Sequence, residues 1–115
     1  MGLSTHILDT HLGRPAANVE IRIWEFRDDA VDGGWHQIGS AYTDHDGRCK
    51  SLLGKRGLSA TDYKLRFEVG VYFRSLQLLS LYPYVEIVFR VTDPAQHYHI
   101  PLLLTANGYT TYRGT

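Results

Sequence analysis

Apolar and polar side chains alternate one for one along three separate stretches of this chain, and that period marks half-buried β-strands. Val19, Ile21 and Ile23 alternate with Glu20, Arg22 and Trp24. Tyr63, Leu65, Phe67 and Val69 alternate with Lys64, Arg66 and Glu68, and Val85, Ile87, Phe89 and Val91 with Glu86, Val88 and Arg90. Further strands are expected at Thr5 to Leu12, Trp35 to Thr43, Gly47 to Leu52, His97 to Leu104 and Gly108 to Arg113. One segment breaks the pattern: between Val71 and Leu79, the residues Tyr72, Phe73, Leu76 and Leu79 fall at helical spacing, and Pro83 blocks continuation. The expectation is an all-β fold with one short helix, its seven or eight strands packed as a two-sheet β-sandwich.

Turn chemistry punctuates the strands. Gly13-Arg14-Pro15 is expected to separate the first two, and Asp32-Gly33-Gly34 the second and third. Asp46-Gly47 reads as a tight hairpin, because both residues tolerate positive φ. No repeat or linker divides the 115 residues, so residues 1–115 read as a single domain. The strand edges of such a sandwich need cover or pairing, which makes self-association an expectation of the fold itself.

Acidic and basic residues balance at twelve each. That balance argues against nucleic acid and against an anionic membrane surface as partner. No apolar run is long enough to span a bilayer. The first residues lack the charged-then-apolar layout of a secretory signal, and the last lack a peroxisomal ending. Cys49 is the only cysteine and has no partner for a disulfide, so a cytoplasmic location is expected.

The C-terminus is composed to stay down rather than fray. An apolar run from Ile100 to Leu104, then Tyr109 and Tyr112, leads almost to the last residue. Such an end gathers the phenol of Tyr112, the guanidinium of Arg113, the flexible Gly114, the Thr115 hydroxyl and the terminal carboxylate. Among six histidines, His97 and His99 stand two apart on one strand and point to one face, about 7 Å apart. They read as ordinary strand residues, as a zinc pair completed by His6 or an aspartate, or, for His99, as a general base near neutral pH. His6 lies on an early strand opposite Thr5 and Ile7; His11, His36 and His45 fall near turns or strand ends and are expected in solvent. Arg48 follows the Asp46-Gly47 turn, where a fixed guanidinium fork suits a planar carbonyl or an anion. Cys49 alternates away from Arg48, into the core.

Three separated segments carry a resemblance. They are Leu3-Ser4-Thr5-His6-Ile7-Leu8-Asp9-Thr10 continuing to Val19, Thr43-Asp44-His45-Asp46-Gly47-Arg48, and His97-Tyr98-His99-Ile100-Pro101-Leu102-Leu103-Leu104 running on to Tyr112-Arg113-Gly114-Thr115. In this order they resemble the 5-hydroxyisourate hydrolase branch of the transthyretin-related proteins over nearly the whole chain. The resemblance implies a transthyretin-like sandwich and a homotetramer, a dimer of dimers with active sites in the channel between dimers. It implies 5-hydroxyisourate as substrate, opened at its N1–C6 amide, and calls for no cofactor or metal. Carried over, His6, Arg48, His99 and Thr115 are catalytic, and His6, Arg48, Tyr112, Arg113 and Gly114 bind substrate. These enzymes usually end in serine where this chain has Thr115, which keeps the hydroxyl and adds a methyl group. A transthyretin-like carrier without catalysis is the alternative, and a structural module with incidental histidines a further one.

Overall fold

The computed structural model describes residues 2–29 and 31–115. Alternation does what the sequence leads one to expect: the strand Glu20–Phe26 (β3) buries Ile21, Ile23 and Glu25 and turns Glu20, Arg22, Trp24 and Phe26 the other way. It sits between Trp35–Tyr42 (β4) and Asp62–Phe67 (β6), and Val85–Arg90 (β7) completes this antiparallel sheet beyond β6.

The second sheet is built around Leu3–Asp9 (β1). On one side β1 pairs in parallel with Tyr98–Thr105 (β8), which in turn pairs with Gly108–Thr111 (β9). On its other side run two two-residue strands, Arg14–Pro15 (β2) and Arg48–Cys49 (β5). The core lies between the sheets, where Ile7, Leu65, Phe67, Leu102 and Phe73 are fully buried. Burying each such side chain contributes about 1.5–3 kcal/mol.

Nine strands form among the described residues, and several expected boundaries move. Gly13-Arg14-Pro15 does not merely separate strands, because Arg14 and Pro15 pair back onto Asp9 and Leu8. Asp46-Gly47 is not a hairpin between neighbouring strands: β4 belongs to one sheet and β5 to the other, so the turn is a crossover. Only Gly47 has positive φ there, and a side chain at that position would strike the Ile7 carbonyl oxygen. The expected strand from Gly47 to Leu52 shrinks to Arg48–Cys49, since a turn starts at Leu52. The helix (α1) spans Val69–Ser75, two residues earlier than expected. It stops because Gln77 adopts a left-handed backbone, and Leu79, 95 % exposed, lies outside it.

Candidate functional site

The outward face of the β1 sheet collects the chemistry. Leu3, Thr5, Ile7 and Asp9 point inward and are buried, so Ser4, His6 and Leu8 point the other way and are half-buried. Register then decides their neighbours. Ser4 lies beside His99, and His6 lies between Arg48 on one side and Pro101 on the other. A further bridge joins His99 to Gly114. Adjacent strands run about 4.8 Å apart, so Ser4, His6, Arg48 and His99 form one contiguous patch.

Each member is held by a definable contact. His6 Nε2 donates to the Asp46 carbonyl at 2.8 Å. A carbonyl only accepts, so this bond places a proton on Nε2 and leaves Nδ1 of neutral His6 bare. The Asp46 carbonyl is offered by the same turn that delivers Arg48. That turn is stiffened by Asp44, whose carboxylate accepts the backbone N–H groups of Asp46 and Arg48 at 2.9 and 3.0 Å. These bonds, that to Arg48 foremost, hold the Asp44 carboxyl below its usual range. Arg48 itself is exposed on the open face.

His99 is more enclosed. Its Nδ1 lies 2.8 Å from Ser4 Oγ, and the same oxygen lies 2.8 Å from His97 Nε2. Burial pushes the His99 pKa below its ordinary value, and the neighbouring Arg48, His6 and His97 push it the same way, against a hydrogen bond with the Ser4 backbone. The ring is therefore neutral around pH 7, as a proton acceptor must be.

The C-terminal residues divide. Gly114 donates its N–H to the His99 carbonyl at 2.8 Å, which ties the end of the chain to β8 as its composition suggests. Arg113 turns away from the patch: its guanidinium lies 4.4 Å above the ring of Tyr98, which is buried on the opposite face from His99, and donates to Gln96 Oε1 at 2.9 Å. Tyr112 and Arg113 line a cavity of about 290 Å³ with Ile87, Phe89, Tyr98 and Ile100, at the open edge between β7 and β9. Only Gly114 reaches the patch through contacts, while Thr115 is exposed one residue beyond it.

His97 falls just outside β8 yet converges with His99 on a serine hydroxyl. His11 and His45 are exposed as expected, whereas His36 is partly buried and paired with Asp29 at 3.0 Å. Cys49 is buried at 3 % exposure, and burial pushes its thiol up, as suits a core residue. Ser4 is the residue that the sequence reading passed over. The signal was present, since Ser4 and His6 are two apart on an alternating strand.

A two-sheet sandwich with one short helix and an imidazole–guanidinium patch on the outer face of one sheet defines a transthyretin-like protein. The chain belongs to the HIUase/Transthyretin family, whose family model matches residues 3–114. It is 40% identical over 113 residues to a 5-hydroxyisourate hydrolase of Salmonella typhimurium, covering 98% of this chain and 80% of that one. With a 5-hydroxyisourate hydrolase of Mus musculus the identity is 42% over 113 residues, covering 98% and 94%. Among solved structures it matches the Klebsiella pneumoniae 5-hydroxyisourate hydrolase with a TM-score of 0.83 at 30% identity, covering all of both chains. Sea bream transthyretin, solved with thyroxine, matches with a TM-score of 0.89 at 29% identity, covering 100% of this chain and 96% of that one.

Proposed function

We infer that this protein is a 5-hydroxyisourate hydrolase, opening the six-membered ring of 5-hydroxyisourate at its N1–C6 amide to give 2-oxo-4-hydroxy-4-carboxy-5-ureidoimidazoline in urate degradation. The observation that carries the reading is the side-by-side placement of His6, Arg48 and His99 on one sheet face. The Salmonella typhimurium and Mus musculus hydrolases are 40% and 42% identical to this chain, and these residues supply what amide hydrolysis needs.

Neutral His99, through Nε2, takes a proton from the attacking water. Arg48 holds a substrate carbonyl and stabilises the oxyanion that develops on it, the largest single contribution expected in acyl transfer. His6 orients the water or, once protonated, passes a proton to the leaving nitrogen. Thr115 and Tyr112 complete substrate binding, and Gly114 keeps the chain end against His99.

The patch lies on an outward sheet face, where water would screen these charges. A facing second copy would close it off, so the reading includes a homotetramer, a dimer of dimers with sites between dimers. That arrangement also gives Tyr112, Arg113 and Thr115 of one copy a route to the patch of another. The protein is placed in the cytoplasm by this reading, and a lone buried cysteine needs no oxidising compartment.

The test is to generate the unstable substrate with urate oxidase and follow its ultraviolet decay with and without the protein. Acceleration beyond the spontaneous rate is expected, and its absence overturns the reading. A carrier reading draws on the 0.89 TM-score with sea bream transthyretin. Saturable binding of an aromatic hormone without turnover would favour it.

A further inference from the structure

One hydroxyl stands between two imidazoles on this face. Ser4 Oγ is 2.8 Å from His99 Nδ1 and 2.8 Å from His97 Nε2. A serine hydroxyl carries a single proton and can donate to only one of them. The second nitrogen must then carry its own proton and donate to the serine oxygen if its contact is to be a hydrogen bond. The direction of this chain decides which nitrogen of His99 is bare.

We propose that Ser4, backed by His97, is a positioning residue that holds His99 in the tautomer with its proton on Nδ1. In that arrangement His99 Nδ1–H donates to Ser4 Oγ, the Ser4 hydroxyl donates to His97 Nε2, and His99 Nε2 is left unprotonated. The inference rests on the hydrolase reading above, because a bare Nε2 is what His99 needs there as a base. The reverse direction puts the proton on Nε2 and removes the base.

Local structure supports this direction. Ser4 is the direct parallel partner of His99, so backbone pairing rather than a mobile loop sets the Oγ–Nδ1 contact. His97 is exposed, so its other nitrogen can keep a proton in contact with water. The chain end packs against the opposite edge of the His99 ring. A side chain on Gly114 would meet Cδ2, the carbon bonded to Nε2. Ring rotation is thus restrained from both sides, with Nδ1 against β1 and Nε2 toward the terminal segment. The groups whose charge bears on His99 include Arg48, His6 and His97, and none of these bases is an acceptor as strong as a carboxylate for Nδ1–H. The serine oxygen supplies it instead, in the role that a carboxylate or backbone carbonyl plays beside other catalytic histidines.

The experiment combines turnover with the tautomer itself, read from ¹⁵N shifts of histidine-labelled protein in which the His99 signal is assigned by substitution. Wild-type protein is expected to show His99 with its proton on Nδ1. Ser4→Ala is expected to lower kcat on the order of tenfold with KM little changed, and to move the His99 proton toward Nε2. Ser4→Thr should restore both, and the isosteric Ser4→Val should not, a comparison that stands even where alanine harms folding. His97→Ala should raise the Nε2–H share, because the serine proton is then free to turn toward His99. An Nε2–H tautomer in the wild type overturns the proposal. So does a loss of kcat in Ser4→Ala or Ser4→Val with the tautomer unmoved, which would mark a purely structural serine. If wild-type protein fails to hydrolyse the substrate while the tautomer still depends on Ser4, the hydrolase reading falls and the positioning role stands.

Discussion

Gly114 and His99 are locked together twice: the glycine N–H donates to the histidine carbonyl at 2.8 Å, and the glycine α-carbon presses so closely on the imidazole edge that no side chain fits between them. The end of the chain is thereby part of the site rather than a tail beside it. Because the glycine backbone here is not left-handed, the demand is for space alone.

Gly114→Ala is therefore expected to displace the His99 ring. Turnover should fall on the order of tenfold or more, the scale seen when a catalytic group is misplaced by about an ångström. The melting temperature should change little, since the site is at the surface. The decay assay and a thermal melt on the same sample check both parts.

Acid should silence the enzyme at a pH set first by burial of His99 and lowered further by Arg48. Burial comes first, and Arg48 adds to it, in keeping the His99 pKa below its ordinary value. A depressed pKa keeps the ring neutral down to lower pH, so kcat/KM should hold through neutral pH and drop only as pH falls through that lowered value. Arg48→Gln removes a positive charge from beside the ring. Its residual activity should show the acid limb displaced to higher pH, and an unmoved limb would contradict the electrostatic role.

Tyr72 donates its hydroxyl to Asp9 Oδ2 at 2.7 Å, where Asp9 is only 1 % exposed. Removing that donor leaves a buried carboxylate short of a partner, a loss of about 1–3 kcal/mol. Tyr72→Phe should lower the urea midpoint accordingly while activity per folded molecule stays the same. Burial, then the bond to Asp9, pushes the Tyr72 pKa up to about 12. A raised folded-state pKa means that this stabilisation is complete below the unfolded phenol's pKa of about 10 and is lost between there and about 12. Wild-type protein should lose stability across that alkaline window more steeply than Tyr72→Phe.

Glu25 offers the acid-side counterpart. Burial would raise its pKa, but the Tyr63 hydroxyl at 2.8 Å and Arg27 at 3.0 Å outweigh burial and hold it below the usual carboxylate range. Its contribution is present above the unfolded pKa and is lost as pH falls through the lower folded value. Glu25→Gln should flatten the acid limb of a stability-versus-pH curve measured by urea melts.

Much of the fold was legible because a strand with one buried face must alternate. β3, β6 and β7 fall where Ile21, Leu65 and Ile87 placed them. Asp46-Gly47 misled because local turn chemistry cannot tell a hairpin from a crossover between sheets; what differs is the sheet to which each flanking strand pairs. Within one subunit Arg113 shows the same limit of local reading. Membership of a short polar cluster says nothing about side, and the guanidinium went to Tyr98 on the far face. His6, Arg48 and His99 were recognisable as a set from the three segments that carry them.

By itself the sequence determined the alternating strands, the short helix and the list of groups able to do chemistry, since periodicity, turn propensity and residue type are local properties. Only the tertiary structure decided which of those groups meet. The parallel pairing of β1 with β8 sets Ser4 beside His99 across a separation of 95 residues, and β5 brings Arg48 to His6 from the opposite edge. Strand register is settled by burial of one face across the whole sandwich, and no window along the chain contains that information.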